Sequence, residues 1–324
     1  MATTLTEVAQ AAGVSLATAS RAFKDPDRLA APTRERVQRA AADLGYTASS
    51  AGQRRMTFAV VVPDAANPVF ASLIASMQSQ AWSGRHRMML VNTFEHPERE
   101  EEVLQSLRTE VDGVILASPR LAAERIESAI GHLPLVALNA ELDFCPSVLM
   151  SADTGMRQAF EHLHALGHRS LTFVPGPASA WSTRRRQSLA TELARAWDVE
   201  LTVVGNQAAS VNGGLAAAAS VASSGSTAVL AYNDLVALGV QAGLRQLGRH
   251  CPSDLSIIGI DDLDIAAVAE PGLTSVRVSI PGGGALALNL LTDLVSGKHV
   301  PAEPLLQDSQ LIVRGTTDSP GARR

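Results

Sequence analysis

Cysteine is nearly missing from this chain. Two residues, Cys145 and Cys251, among 324 cannot form the disulfide framework of a small secreted domain, and their scarcity suits a reducing cytoplasm. No basic stretch followed by an apolar run opens the sequence, so no signal peptide is expected, which weighs against an exported binding protein. A run of about 18 apolar residues is missing too, and with it any expected membrane span. Catalytic signatures are equally sparse. The chain has no Gly-x-Ser-x-Gly elbow, no Cys/His pair in context and no zinc-ligand spacing. His162, His164 and His168 sit at i, i+2, i+6, a spacing that does not gather three ligands on a helix. No metal, no cofactor and no enzymatic activity are therefore expected. Hydrophobic residues make up 46% and charged residues 18%, a balance of a folded rather than a disordered chain.

Charge of one sign is unevenly spread. The net charge is −5, but residues 1–57 carry eight Lys and Arg against five Asp and Glu, leaving the rest acidic. A basic excess confined to one end is an electrostatic footprint for phosphates. That end also carries the most telling stretch, LTEVAQAAGVSLATASRAF at 5–23. Leu5, Val8, Ala9 and Ala12 fall on one helical face. Thr4 and Glu7 make a capping box, Gly13 suits a left-handed helix end and Ser15 can cap a second helix. The second helix turns Leu16, Ala17, Ser20 and Arg21 outward and Ala19, Ala22 and Phe23 inward. Two helices joined by a tight turn present the second one to the DNA major groove. A third helix follows in PTRERVQRAAADLGY, ended by Gly45, with Pro32 in its first turn.

From Phe58 the pattern changes. Continuous apolar runs at 58–62, 87–91, 113–117, 135–138, 170–174, 201–204, 227–231 and 256–260 alternate with helical segments such as 98–109, 154–166, 212–223 and 235–247. Such runs suit parallel strands covered on both faces, and so many βα repeats predict doubly wound lobes with a cleft between them. Ligands bind beyond the carboxyl ends of parallel strands. There the sequence offers Asp64, Asn67 and Phe70, then Asn139, the loop GPASAWSTRRR with Trp181, Ser182 and Arg186, then Asn233–Asp234 and Asp261–Asp262. Carboxylates, amides, a guanidinium and aromatic faces suit a polyhydroxylated ligand. Each also has a plainer role: Asn233 and Asp261 can cap helices, Phe70 and Trp181 can be core, and three consecutive arginines can be a solvated face.

The chain resembles the lactose-repressor/galactose-repressor family of bacterial transcription factors. The resemblance is carried by TEVAQAAGVSLATASRAF and TRERVQRAAADLGY, and continues through VVPDAANPVF, VDGVILASP, EHLHALGHRS, YNDLVALGV and PSDLSIIGIDD followed by PGLTSVRV. It implies an all-α helix-turn-helix headpiece at 1–46, a hinge linker at 47–57, and a two-lobed α/β core of the type I periplasmic-binding-protein kind at 58–324. Lobe 1 would hold about 58–154 and 281–308, lobe 2 about 155–280 and 309–324, and the tail TTDSPGARR is expected to fray. The candidate DNA contacts are Leu5, Ser15, Leu16, Ala17, Ser20, Arg21, Lys24, Arg28, Thr33, Arg54 and Arg55. The resemblance gives Arg186 the ligand-clamping role, Asp261 and Asn233 the hydroxyl-binding roles and Asn139 a place at the cleft. With Asp64, Phe70, Trp181 and Ser182 these form the candidate effector site.

The linker departs from the family pattern. After Tyr46 the sequence TASSAGQRRMTF lacks the usual proline, asparagine and leucine wedge, and Gly52 weakens a hinge helix. Arg54 and Arg55 then stand as phosphate or narrow-groove contacts, with Met56 too near the first strand to wedge between bases. No leucine heptad follows the core, so a homodimer on palindromic operator DNA is expected. The expectation is a cytoplasmic repressor controlled by a small sugar-like effector. A nucleoside effector or a corepressor is the alternative within the class. A binding protein or enzyme with a vestigial headpiece is the alternative outside it.

Overall fold

The computed structural model describes residues 3–24, 28–44, 46 and 55–321. They fall into two compact units, divided between Arg55 and Met56.

The first unit is three helices, α1 (Leu5–Ala11), α2 (Leu16–Lys24) and α3 (Ala31–Asp43). Thr4 and Glu7 close the capping box on α1. Gly13 takes φ +63°, the left-handed turn a Cβ would strain. Ser15 Oγ accepts from Thr18 N at 3.1 Å and so caps α2. Val8, Ala9, Ala12, Ala19, Ala22, Val37 and Ala41 fill a small core, with Leu5, Val14, Phe23 and Tyr46 around it. Small side chains let three short helices pack closely, and Phe23 against Tyr46, centroids 5.7 Å apart, seals one side.

The second unit is built on two six-stranded sheets. The first has the order β11-β5-β4-β3-β1-β2 and is parallel throughout. Its strands are β1 (Thr57–Val62), β2 (Arg87–Asn92), β3 (Gly113–Ala117), β4 (Leu135–Leu138), β5 (Ser147–Met150) and β11 (Leu305–Gln307). The second has the order β12-β10-β9-β8-β6-β7, parallel except where β12 runs against β10. Its strands are β6 (Ser170–Val174), β7 (Glu200–Val203), β8 (Ala228–Ala231), β9 (Ser256–Asp261), β10 (Thr274–Val278) and β12 (Ser309–Ile312). Helices α4 (Pro68–Ser83), α5 (Pro97–Leu107), α6 (Ala123–Ile130) and α12 (Ile280–Val295) belong with the first sheet. Helices α7 (Asp153–Ala165), α8 (Trp181–Ala196), α9 (Val211–Ser223), α10 (Asp234–Gln246) and α11 (Asp264–Val268) belong with the second. The chain passes between sheets after β5, after β10 and after β11, the last time through Asp308 alone.

β1, β3, β4, β8 and β9 are buried almost end to end, which is why they read as unbroken apolar runs. Helix packing relies on glycine at two crossings. A Cβ on Gly239 of α10 would lie 2.1 Å from Val211 O, and one on Gly214 of α9 would lie 2.1 Å from Val236 O. Gly284 plays the same part where α12 meets α4: a Cβ there would be 2.9 Å from Leu73 O.

One expectation needs correction. The C-terminal segment is not frayed up to Gly321. The Thr316 hydroxyl, fully buried, donates to Ile257 O and accepts from Thr274 N, while Asp318 O accepts from Ser256 Oγ at 3.0 Å. His168 bonds to Thr227, Ser256 and Asp318 O, and His162 to Thr317, so these histidines fasten that segment. Among the described residues no three His, Cys, Asp or Glu are grouped to hold a metal ion. Met56, expected merely to stand close to the first strand, is buried in its core, its amide donating to His86 Nδ1 at 3.3 Å.

Candidate functional site

A cleft opens at the carboxyl ends of the strands, between the two sheets. Phe70, Asn139, Arg186, Asn233 and Asp261 line it, as do Asn67, Ser118, Arg120 and Tyr232, with Val69, Met150, Ala209 and Val278 as apolar wall. Non-atom space totals about 470 Å³ with the mouth included, but the room left for the centre of a water-sized sphere is about 30 Å³. The walls therefore stand close, and a ligand of several carbons requires the lobes to part or side chains to turn. At one edge the lobes already touch: Asn67 Nδ2 donates to Ala209 O at 3.4 Å.

The polar side chains are held before any ligand arrives. Asn67 and Asn233 cap α4 and α10, accepting from Val69 N and Val236 N. Arg186, 7% exposed, donates from Nη1 to Tyr232 O at 2.5 Å, stands over the Tyr232 ring and faces Asp261 Oδ1 from 3.6 Å. The Tyr232 hydroxyl bonds Ser182 Oγ at 2.8 Å, and Gly176 leaves the ring its space: a Cβ there would be 2.6 Å away. Positive φ angles at Ser118 (+47°), Asn139 (+58°) and Asp261 (+116°) mark sharp exits from their strands. Such left-handed backbone is costly for residues with a Cβ and concentrates at binding sites.

Burial pushes the Asp261 carboxyl up to about 6 despite the Arg186 charge beside it. Asp234 is pushed further, to about 8, by burial and then by Asp261. Its oxygens are spent on the scaffold, accepting from Leu263 N at 2.8 Å and Ser275 Oγ at 2.5 Å. Asp262 pairs with Arg277 and Arg314, each at 2.6 Å, away from the cleft wall.

Three expected residues lie outside the lining. The Asp64 carboxylate turns back to accept from Ala66 N at 3.0 Å. Ser182 is occupied with Tyr232, and half-buried Trp181 begins α8 beside the cleft. Sequence reasoning passed over Ser118, Arg120 and Tyr232. The strand-end rule covers all three, since SPR follows β3 and Tyr232 follows β8 directly.

On the first unit, Leu16 (51% exposed), Ala17 and Arg21 form an exposed face of α2, with Ser20 half-buried beside them. Ser15 is exposed but its hydroxyl serves the cap. Leu5 packs partly against the core, Thr33 is half-buried in the first turn of α3, and Arg28 and Arg55 are exposed. Arg54, with the rest of 47–54, lies outside the described residues, as does the side chain of Lys24. No helix among the described residues is long and apolar enough to cross a membrane.

A helix-turn-helix unit followed by a two-sheet core with a polar cleft between its lobes defines a class: one-chain regulators that read DNA and a small molecule. Comparison with known proteins agrees. Residues 4–49 match the family of bacterial regulatory proteins, lacI family, and residues 160–317 match the periplasmic binding protein-like domain. The repressor CytR of Escherichia coli K12 is 30% identical over 331 residues, covering 98% of this chain and 96% of the relative. The regulator PtxS of Pseudomonas plecoglossicida is 30% identical, with 97% and 95% covered. Among solved structures, the lac repressor dimer bound to operator and the anti-inducer ONPF gives a TM-score of 0.75 at 26% identity, covering 98% of this chain and all of that one. The CelR–cellobiose complex gives 0.73 at 28%, with 97% and 99% covered. The chain belongs to the lacI family of bacterial transcriptional regulators.

Proposed function

We propose that this chain is a cytoplasmic repressor that binds a palindromic operator as a homodimer, and that a small sugar-like effector in the cleft controls its operator affinity. The observation that carries this reading is the buried Arg186–Asp261 pair flanked by Asn139, Asn233 and Phe70 between two lobes. An ionised carboxylate accepts hydroxyl protons, a guanidinium donates in a fork, and an aromatic face covers C–H surface. A ligand that bridges both walls changes how the lobes close. Whatever it does to operator binding, operator does to it in equal measure. In the lac repressor structure and the CelR complex, ONPF and cellobiose are the bound small molecules.

The cleft is read as a binding site without turnover. Asp261 is paired with Arg186, and Asp234 is engaged by Ser275 and a backbone amide. Neither stands as a free acid–base group.

The test begins with operator selection from random duplexes, followed by anisotropy titrations with sugars present. Asp261→Ala and Arg186→Ala should bind operator as wild type does but lose about 10- to 150-fold in effector affinity, the worth of one charge-assisted hydrogen bond. A variant that responds at wild-type effector concentrations removes that residue from the site.

A further inference from the structure

Arg120 is one of two guanidinium groups in the cleft wall, Arg186 being the other. Its side chain is 2% exposed. Nε and Nη2 both donate to the Glu95 carboxylate, the latter at 2.9 Å, and Nη1 donates to Ser118 O at 2.6 Å. Beneath it Glu100, 1% exposed, accepts from the Arg120 and Leu121 amides and fixes the loop after β3.

A guanidinium carries five N–H groups arranged in two forks. Glu95 takes the fork made by Nε and Nη2, and Ser118 takes one Nη1 hydrogen. One hydrogen on each terminal nitrogen remains, without a hydrogen bond among the described residues. Burying such donors unsatisfied is costly, so an acceptor that reaches them is strongly favoured.

The two walls thus differ in character. Lobe 2 presents Asp261, an acceptor already facing Arg186. Lobe 1 presents a rigid pair of charged donors, with the Asn139 amide and Ser118 hydroxyl alongside. The wall holds two cations, Arg120 and Arg186, against one carboxylate, Asp261. Glu95 and Glu100 stand behind Arg120, outside the lining, and offset part of its charge from the side away from the cleft.

We propose that Arg120 is the residue by which the cleft selects its ligand, and that this ligand is a small polyhydroxylated molecule bearing one carboxylate or phosphate. The anionic group seats on the remaining terminal N–H groups of Arg120, and the hydroxyls reach Asp261 and Asn139. This assignment rests on the cleft being the effector site.

Calorimetric titration of the full chain with matched sets tests it: glucose, glucuronate and glucose 6-phosphate; galactose, galacturonate and galactose 6-phosphate; ribose, ribonate and ribose 5-phosphate; with adenosine and cytidine as a separate arm. An acid or a phosphate should bind about 10- to 100-fold tighter than its neutral parent, and the arm that does so identifies the anionic group. Arg120→Met should reduce that member to the affinity of its parent. Glu95→Gln, which removes the competing charge and keeps Arg120, should widen the preference; it also carries the test if Arg120→Met does not fold. Neutral parents binding as tightly as their acids and phosphates would overturn the role of Arg120 and leave the sugar-effector reading standing. Binding of the nucleosides alone, or of no member, would overturn both.

Discussion

Gly239→Ala puts the close crossing of α9 and α10 to a quantitative test. Two effects oppose each other. Replacing glycine by alanine inside a helix favours folding by about 1 kcal/mol. The added Cβ, however, would stand 2.1 Å from Val211 O and 2.8 Å from Gly214 Cα, where ordinary contact starts at 3.4 Å. Both obstacles are backbone atoms, so no rotamer change relieves them, and the helices must part by about 1 Å, an overpacking strain of roughly 3 kcal/mol, the upper part of its usual range. The strain wins, leaving a net loss of about 2 kcal/mol. Urea unfolding followed by circular dichroism reads this as a lower midpoint at unchanged slope. Gly205→Ala is the control: a Cβ there meets nothing within 4 Å. A gain of about 1 kcal/mol in Gly239→Ala would refute the close crossing, because propensity alone would then decide the sign.

Met56→Ala should cost about 2–5 kcal/mol in the same assay, since Met56 is 6% exposed in the core of the first sheet; an unchanged midpoint would take it out of that core. Replacing Leu16 and Ala17, both on the exposed face of α2, should change the operator recovered from random DNA with stability within about 0.5 kcal/mol of wild type; an unaltered operator would move base readout elsewhere. Asp234 and Asp261, raised to about 8 and about 6, hold protons more tightly folded than unfolded. Each therefore removes stability as pH rises from the ordinary value of 3.8 through its folded value. Asp234→Asn should flatten the decline in unfolding free energy across that window, and an unchanged pH profile would refute the shift.

The α/β core was legible where burial is complete on both faces: β1, β3, β4, β8 and β9 announce themselves as apolar runs. β5, β11 and β12 did not, because polar residues cut their apolar runs to two or three: SVLM, LLQ and SQLI. β10 hid for another reason, since Thr274 and Ser275 are buried polar residues satisfied by Thr316, Arg314 and the Asp234 carboxylate. Strand-end chemistry led to Phe70, Asn139, Arg186, Asn233 and Asp261, which line one cleft. It could not tell that Asp64 would fold back on its own turn, or that Ser182 would reach the wall only through Tyr232. The strand-end rule reaches Arg120, but not the way Glu95, 25 residues earlier and on another loop, holds it. Gly283 and Gly284 let α12 approach β5 and α4.

Asn67 and Asn233 each serve two purposes, as cleft wall and as helix cap. That double duty restricts how descendants of this gene can change diet. Losing a capping side chain costs about 1 kcal/mol before any ligand is considered, so mutations at these positions pass through less stable intermediates. Phe70, Met150, Ala209 and Val278 carry no cap and no ion pair. Exchange among apolar residues of similar volume at such sites is tolerated, and divergence in effector preference should accumulate there first, on a polar frame that drifts slowly.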